Sequence, residues 1–167
     1  MEKIVDTTDE WIRTRTGIEQ RHIAAKNQNT SDLAAKAAQK ALDKANIKAE
    51  DVDYLLLATV TGDMGFPSTA CYVQEKINAV NATAMDISAA CTGFIYGLEL
   101  ADALIVSGKA KTVLVIGVEV LSRIIDYEDR TTSVLFGDGA GALILGKNED
   151  IDEDCIIASD LGSDGAY

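Results

Sequence analysis

The chain has 167 residues, 47% of them hydrophobic and one of them proline, which is enough for one buried core and predicts a single globular domain. Its 15 Lys and Arg against 27 Asp and Glu give a net charge of -12, so nucleic acid would be repelled. Three cysteines at irregular spacing exclude a disulfide framework, and a single histidine excludes a histidine-rich metal site. The apolar runs are too short to span a membrane. We therefore expect a soluble, cytoplasmic protein with reduced thiols.

Helices and strands alternate along the chain. Thr30, Ser31 and Asp32 offer capping oxygens to an amphipathic helix with leucine and alanine at helical spacing. The run from Val52 to Val60 is short and apolar, which is typical of a strand buried on both faces. The pattern then predicts a helix over Ser68 to Ala79, a strand over Thr83 to Ile87, a helix over Cys91 to Ser107, a strand over Thr112 to Gly117, a loop over Val118 to Arg130 and a strand over Ala142 to Gly146. This order predicts an α/β fold with a mostly parallel sheet, right-handed crossovers and helices on its faces.

Cys91 lies where a predicted buried strand ends and a helix begins. Unpaired backbone N–H groups and the positive end of the helix dipole favour a thiolate at such a point. The small neighbours Ala89, Ala90 and Gly93 leave room for a substrate carbonyl, and the N–H of Cys91 could help to hold an oxyanion. Composition alone favours the alternative of a structural cysteine, because free cysteines are commonly buried.

The sequence GDGAGA at residues 137–142 formally fits a dinucleotide-binding fingerprint. Such a fingerprint must open a helix, whereas a strand is predicted here from Ala142 onward. We therefore interpret its glycines as positions of close backbone approach beneath the helix that begins at Cys91.

Several motifs together resemble the β-ketoacyl-acyl-carrier-protein synthase III family of the thiolase-like superfamily. They are TTDEWI at 7–12, TRTGI at 14–18, RHIA at 21–24, FPS at 66–68, DISAACTGF at 86–94 and FGDGAGA at 136–142. The resemblance implies one half of a layered α/β/α/β/α architecture, with a mostly parallel mixed sheet covered by helices. Residues 1–167 would be a single amino-terminal domain, shortened at both ends relative to the family. The carboxy-terminal half, which carries a catalytic histidine and asparagine, would be absent.

The resemblance also assigns roles to residues that bind the substrate. It implies that Cys91 is the acyl-accepting nucleophile and that Trp11 and Arg130 sandwich the adenine of coenzyme A, with Arg15 and Thr16 nearby. Indole and guanidinium planes are suitable stacking surfaces, and arginine suits phosphate. Taken singly, Trp11 could be a core residue and Arg130 a solvated loop charge.

The same resemblance places Phe66, Leu121 and Phe136 at the border of the acyl pocket. It also implies that Phe66 reaches across a dimer interface. Aromatic residues at such positions are otherwise ordinary core, so this assignment depends on the resemblance alone.

His22 is the only histidine, and it lies in the RHIA motif rather than where the family carries its catalytic histidine. We expect a structural role for it. Cys71 and Cys155 match no functional position and are expected to be inert.

The activity implied by the resemblance is the initiation of fatty-acid synthesis in a homodimeric enzyme. A short acyl group would pass from acyl-CoA, a substrate rather than a cofactor, to Cys91, and malonyl-acyl-carrier protein would then lose carbon dioxide and condense with it. The chain alone is expected to fail at condensation. One alternative is another condensing enzyme of the superfamily, such as a polyketide starter enzyme or hydroxymethylglutaryl-CoA synthase. The other is a non-catalytic dimerising fragment.

Overall fold

Four strands form one sheet in residues 1–147 and 156–166, which a computed structural model describes. They are β1 (Tyr54–Ala58), β2 (Thr83–Ile87), β3 (Thr112–Val120) and β4 (Asp138–Gly146). Their order is β2-β1-β3-β4; β1 is parallel to β2 and β3, and β4 is antiparallel to β3. The predicted mostly parallel sheet is confirmed, and Cys155 lies outside the described residues.

Three α-helices lie close to their predicted positions, and two were not predicted as elements. The helices are α1 (Asp9–Thr16), α2 (Thr30–Ala45), α3 (Thr69–Ile77), α4 (Gly93–Val106) and the single turn α5 (Arg130–Ser133). The N-cap of α2 is Asn29, whose N–H donates to the Asp32 carboxylate at 2.7 Å, while the Thr30 hydroxyl donates to the carbonyl of Thr61. Thr30 therefore ties α2 to the segment after β1, which corrects its predicted capping role.

The loop predicted over Val118 to Arg130 is partly wrong, because β3 continues to Val120. The last three residues of β3 pair with Asp138–Ala140 of β4. The hydrogen bonds between the two strands therefore extend both of them beyond their apolar segments. A 3₁₀ turn over Leu121–Arg123 follows β3 directly. The strand predicted from Ala142 therefore begins four residues earlier, within the glycine-rich motif.

The two central strands, β1 and β3, are buried on both faces of the sheet, and their side chains alternate between the two faces. On one face the core contains Leu55, Leu57, Leu114 and Ile116 from the strands with Ala34, Ala38, Leu42 and Val73 from α2 and α3. On the other face it contains Leu56, Val113 and Val115 with Ala101 from α4. The apolar run read as a doubly buried strand is confirmed by the burial of β1.

Helix α4 approaches the sheet closely through its glycines. A Cβ on Gly97 would lie 2.9 Å from Cγ1 of Val115, and a Cβ on Gly93 would lie 3.1 Å from Cβ of Ala58. A Cβ on Gly139 or Gly141, by contrast, would meet nothing within 4 Å. A Cβ on Gly137 would lie 3.1 Å from the carbonyl oxygen of His22, so this glycine does permit a close approach, but to the RHIA motif. The prediction that the GDGAGA glycines permit the approach of the helix is therefore wrong; the glycines of α4 itself do so.

Replacing Gly97→Ala is expected to lower the free energy of unfolding. The clash with the buried, β-branched Val115 should cost about 1–3 kcal/mol, of which the better helix propensity of alanine recovers about 1 kcal/mol. Gly141→Ala is the matched control, since open space surrounds that position, and it should change stability by less than about 0.5 kcal/mol. Urea denaturation measures both variants, and equal stabilities would contradict the close contact.

Candidate active site

Cys91 lies in a 3₁₀ turn over Ala90–Thr92, between the end of β2 and the start of α4. The predicted strand-to-helix junction is confirmed, with the α-helix proper beginning at Gly93. Cys91 is exposed in this chain rather than buried. The Thr92 hydroxyl donates to the carbonyl of Ala89 at 2.8 Å and fixes the turn.

The residue before the cysteine has an unusual backbone conformation. Ala90 has φ 47°, in the left-handed region that residues with a Cβ rarely adopt. Such strain costs about 1–2 kcal/mol and persists only where the surrounding structure enforces it, most often at functional sites. The strained residue thus directly precedes Cys91, in the turn that follows the end of β2.

A cavity of about 500 Å³ opens beside Cys91. It brings together segments that are far apart in the sequence: the RHIA motif, the ends of β1 and β3, the start of α4 and the glycine-rich start of β4. The residues that line it include Ile18, Gln20, Arg21, His22, Ala58, Ala90, Phe94, Val118, Glu119, Leu135 and Asp138. The thiol therefore faces a space that a small substrate could enter.

The prediction that three residues border an acyl pocket is not tested by this cavity and stays a prediction. Phe66 is 86% exposed and Phe136 is 41% exposed, and neither they nor Leu121 are among the described residues that line the cavity. Phe94 and Leu135 supply its larger apolar surfaces instead. Phe94 follows Cys91 by three residues, a spacing that places two side chains on the same side of a helix and could have identified it from the sequence.

The RHIA motif is held against the glycine-rich motif by Asp138. Its carboxylate accepts from the N–H of Ala24 at 2.7 Å and from the N–H and hydroxyl of Ser122 at 2.8 and 2.6 Å. Burial acts to raise the pKa of Asp138, but the hydrogen bonds from Ser122 and Ala24 outweigh it and hold that pKa below its usual range. The carbonyl of His22 accepts from the Asp138 N–H at 2.8 Å. These contacts hold the RHIA segment in place, and His22 also lines the cavity.

Trp11 on α1 contacts two of the predicted coenzyme-binding residues. The guanidinium carbon of Arg15 lies 4.4 Å from the centre of the indole ring, and that of Arg130 lies 4.6 Å from it. Trp11 is half-buried rather than a core residue. The hydroxyl of Thr16 donates to the Ile12 carbonyl at 2.8 Å and accepts from the Ile18 N–H at 3.0 Å, so it serves the end of α1.

Comparison with known proteins identifies the family. A model of the 3-oxoacyl-[acyl-carrier-protein (ACP)] synthase III family matches residues 85–165. Proteins named β-ketoacyl-[acyl-carrier-protein] synthase III are 55% identical over 98% of the chain in Clostridioides difficile and 57% identical over 99% in Bacillus pumilus. The chain belongs to the β-ketoacyl-acyl-carrier-protein synthase III family. It spans 49% and 52% of those two relatives, which is about half of their length.

Solved structures of synthase III proteins share the fold. The Aquifex aeolicus protein is 57% identical with a TM-score of 0.86, covering 89% of this chain and 48% of its own. The Pseudomonas aeruginosa protein is 48% identical with a TM-score of 0.88, covering 96% of this chain and 50% of its own. A priming β-ketosynthase of a polyketide pathway is 36% identical with a TM-score of 0.84, covering 87% of this chain and 44% of its own. The thiolase-like α/β fold inferred from the motifs is confirmed.

Two further observations concern the described part of this synthase III chain. None of its helices combines the length and apolar character that crossing a membrane requires. Within the same residues, no three His, Cys, Asp or Glu side chains are grouped as metal ligands.

Replacing Asp138→Asn is expected to lower the free energy of unfolding by about 1 kcal/mol at neutral pH, a modest loss because the carboxyl is only partly buried. Folding lowers the pKa of Asp138, so its stabilising contribution is complete above the unfolded-state pKa of about 3.9 and is lost as the pH falls through the folded-state value. Urea unfolding of both proteins should therefore show a constant difference above about pH 5 that closes below about pH 4. A difference that persists into strong acid would contradict this role.

Proposed function

We propose that the chain supplies the acyl-accepting half of an enzyme that initiates fatty-acid synthesis. Cys91 would take a short acyl group from acyl-CoA. The observation that carries the proposal is the exposed thiol on a strained turn at the start of α4, open to a cavity, in a chain of the synthase III family. Acyl-CoA acts as a substrate, and no further cofactor is proposed.

The acyl transfer requires one bond to form and one to break. The Cys91 thiolate attacks the thioester carbonyl, and the bond between that carbon and the coenzyme A sulfur then breaks. Coenzyme A leaves as a thiolate and takes up the proton released by Cys91, so atoms and charge balance. The N–H of Cys91 is the candidate donor to the oxyanion of the intermediate, since it is the first N–H beyond the strained Ala90.

The coenzyme would be held on α1, where its adenine stacks on Trp11 and the guanidinium groups of Arg15 and Arg130 meet its phosphates or its ring. Thr16 flanks this surface. Arg130 now lies 4.6 Å from the indole centre, whereas an adenine ring between the two planes needs about 7 Å. Adenine binding would therefore displace Arg130 from direct contact with Trp11.

Condensation would require the rest of the enzyme. Because the relatives are about twice as long as this chain, we assign 1–167 to an amino-terminal domain and the catalytic histidine and asparagine to the other half. There malonyl-acyl-carrier protein would lose carbon dioxide, and its carbanion would attack the acyl carbon and release the Cys91 thiolate. Phe66, exposed on its loop, would serve a homodimer interface of that cytoplasmic enzyme, with Leu121 and Phe136 near the acyl chain.

A second candidate is the priming step of a polyketide pathway. It is supported by the similarity to a priming β-ketosynthase of a polyketide pathway, which is 36% identical with a TM-score of 0.84. The two candidates share the acylation of Cys91 and differ in the acyl-CoA used. Comparing rates with acetyl-CoA and with longer acyl-CoA substrates distinguishes them.

Incubation of the chain with acetyl-CoA is expected to place one acetyl group on Cys91. Cys91→Ser should abolish the thioester, because a hydroxyl at that position lacks the acidity and nucleophilicity of a thiol. Cys71→Ser is the matched control and should leave the acetylation intact. Peptide mass spectrometry measures the modified site, and acetylation that survives in Cys91→Ser would contradict the proposal.

The adenine-binding surface is tested by Trp11→Ala. Loss of a base–aromatic stack of about 1–3 kcal/mol should raise the half-saturating acetyl-CoA concentration for Cys91 acetylation by about 5- to 150-fold. Acetyl-pantetheine, which lacks the adenine, should react equally with both proteins. An equal loss with both substrates would show that Trp11 supports the fold instead. Because Trp11 is the single tryptophan, quenching of its fluorescence by coenzyme A gives an independent measurement in the unmodified chain.

A further inference from the structure

Glu119 joins the ends of two parallel strands beside the cavity. It is the penultimate residue of β3, and its carboxylate accepts from the N–H of Val60 at 2.9 Å. The same carboxylate accepts from the hydroxyl of Thr59 at 3.3 Å and from the hydroxyl of Thr61. The Thr61 hydroxyl oxygen in turn accepts from the N–H of Val120 at 2.8 Å. One side chain thus fixes the segment that leaves β1.

That segment is in direct contact with the support of Cys91. The N–H of Thr59 donates to the carbonyl of Ile87, the last residue of β2, at 3.1 Å. Ala58 packs against Gly93, where an added Cβ would be only 3.1 Å away. The turn that carries Cys91 lies between Ile87 and Gly93. Its first end is bonded to Thr59, which Glu119 binds, and its second end packs on Ala58, the residue directly before Thr59.

We infer that Glu119 is a positioning residue for Cys91 in the acyl transfer, an inference that rests on the proposed function. Through Thr59 and Ala58 it fixes the end of β2 and the start of α4, and so the aim of the thiol into the cavity. Charge-assisted hydrogen bonds are stronger than neutral ones, which suits a carboxylate to this task. Geometry rather than charge transmits the effect, since Glu119 acts through other residues.

Three variants test the inference. Glu119→Ala removes all three bonds and should lower the maximal rate of Cys91 acetylation by about 10-fold, equivalent to about 1.4 kcal/mol, while leaving the half-saturating acetyl-CoA concentration unchanged. Glu119→Gln should stay within about 3-fold of the unmodified chain, because hydroxyl groups can reverse as donors and acceptors to suit an amide. Asp53→Ala is the matched control.

Asp53 is a suitable control because its carboxylate also binds backbone N–H groups, those of Lys111 at 2.6 Å and Thr112 at 3.0 Å. It precedes β1, at the edge of the parallel strands opposite to Cys91. Its loss should lower stability without changing the acetylation rate. The inference is overturned if Glu119→Ala acetylates at the unmodified rate, or if Asp53→Ala slows the reaction equally.

Alkylation by iodoacetamide separates this inference from the proposed function, because it requires no coenzyme site. If the unmodified chain takes no acetyl group, the proposed function fails, and the alkylation rates then decide the role of Glu119. Glu119→Ala should lower the rate at Cys91 by at least about 3-fold, since the turn loses its fixed geometry, with no change at Cys71. Equal rates at Cys91 in both proteins would refute the positioning role.

Discussion

The contact between α4 and the sheet determines where the thiol can lie. With no side chain at Gly97, the helix axis comes close enough for Val115 to fill the space that a Cβ would occupy. The helix then starts close to the end of β2, and the five residues between them, 88–92, include a strained turn with Ala90 at φ 47°. A larger residue would lift the helix and relax that turn. The position of the turn that carries Cys91 is thus tied to packing about two turns further along α4.

Carboxylates secure the segments that surround this turn. Glu119 binds the exit of β1, Asp138 binds the RHIA motif, and Asp86 accepts from the N–H groups of Thr69 and Ala70 at 2.7 and 2.8 Å at the start of α3. Each satisfies N–H donors that no ladder or helix can satisfy, and an ionised acceptor does so more strongly than a neutral one. Some of the acidic residues behind the net charge of -12 therefore bind backbone N–H groups and stabilise the fold.

The sequence was sufficient to predict the parts of the fold that depend on local pattern. The burial of β1 follows from its apolar run, the observed bounds of β2 are the predicted ones, and the junction at Cys91 follows from the order of the elements. The features that the sequence could not predict depend on contacts between distant segments. The extension of β3 and β4 requires their pairing across the sheet, and the approach that glycine permits is seen only when Gly97 meets Val115. The role predicted for Phe66 depends on the family motif alone, because its exposure in the single chain does not decide between a pocket border and a dimer interface.

The two halves of the candidate site are linked by Arg21. It lies in the segment that follows α1, which carries Trp11, and its Nε donates to the carbonyl of Val134 at 2.8 Å. Val134 follows α5 directly, and α5 begins at Arg130. Two contacts therefore connect α1 and the segment after it to α5: the contact of Arg130 with Trp11 and the bond from Arg21 to Val134. Because Arg21 and Asp138 also line the cavity, any shift of this segment would move the stacking surface and the wall opposite Cys91 together. The distance between Trp11 and Cys91 is therefore set by one connected set of contacts.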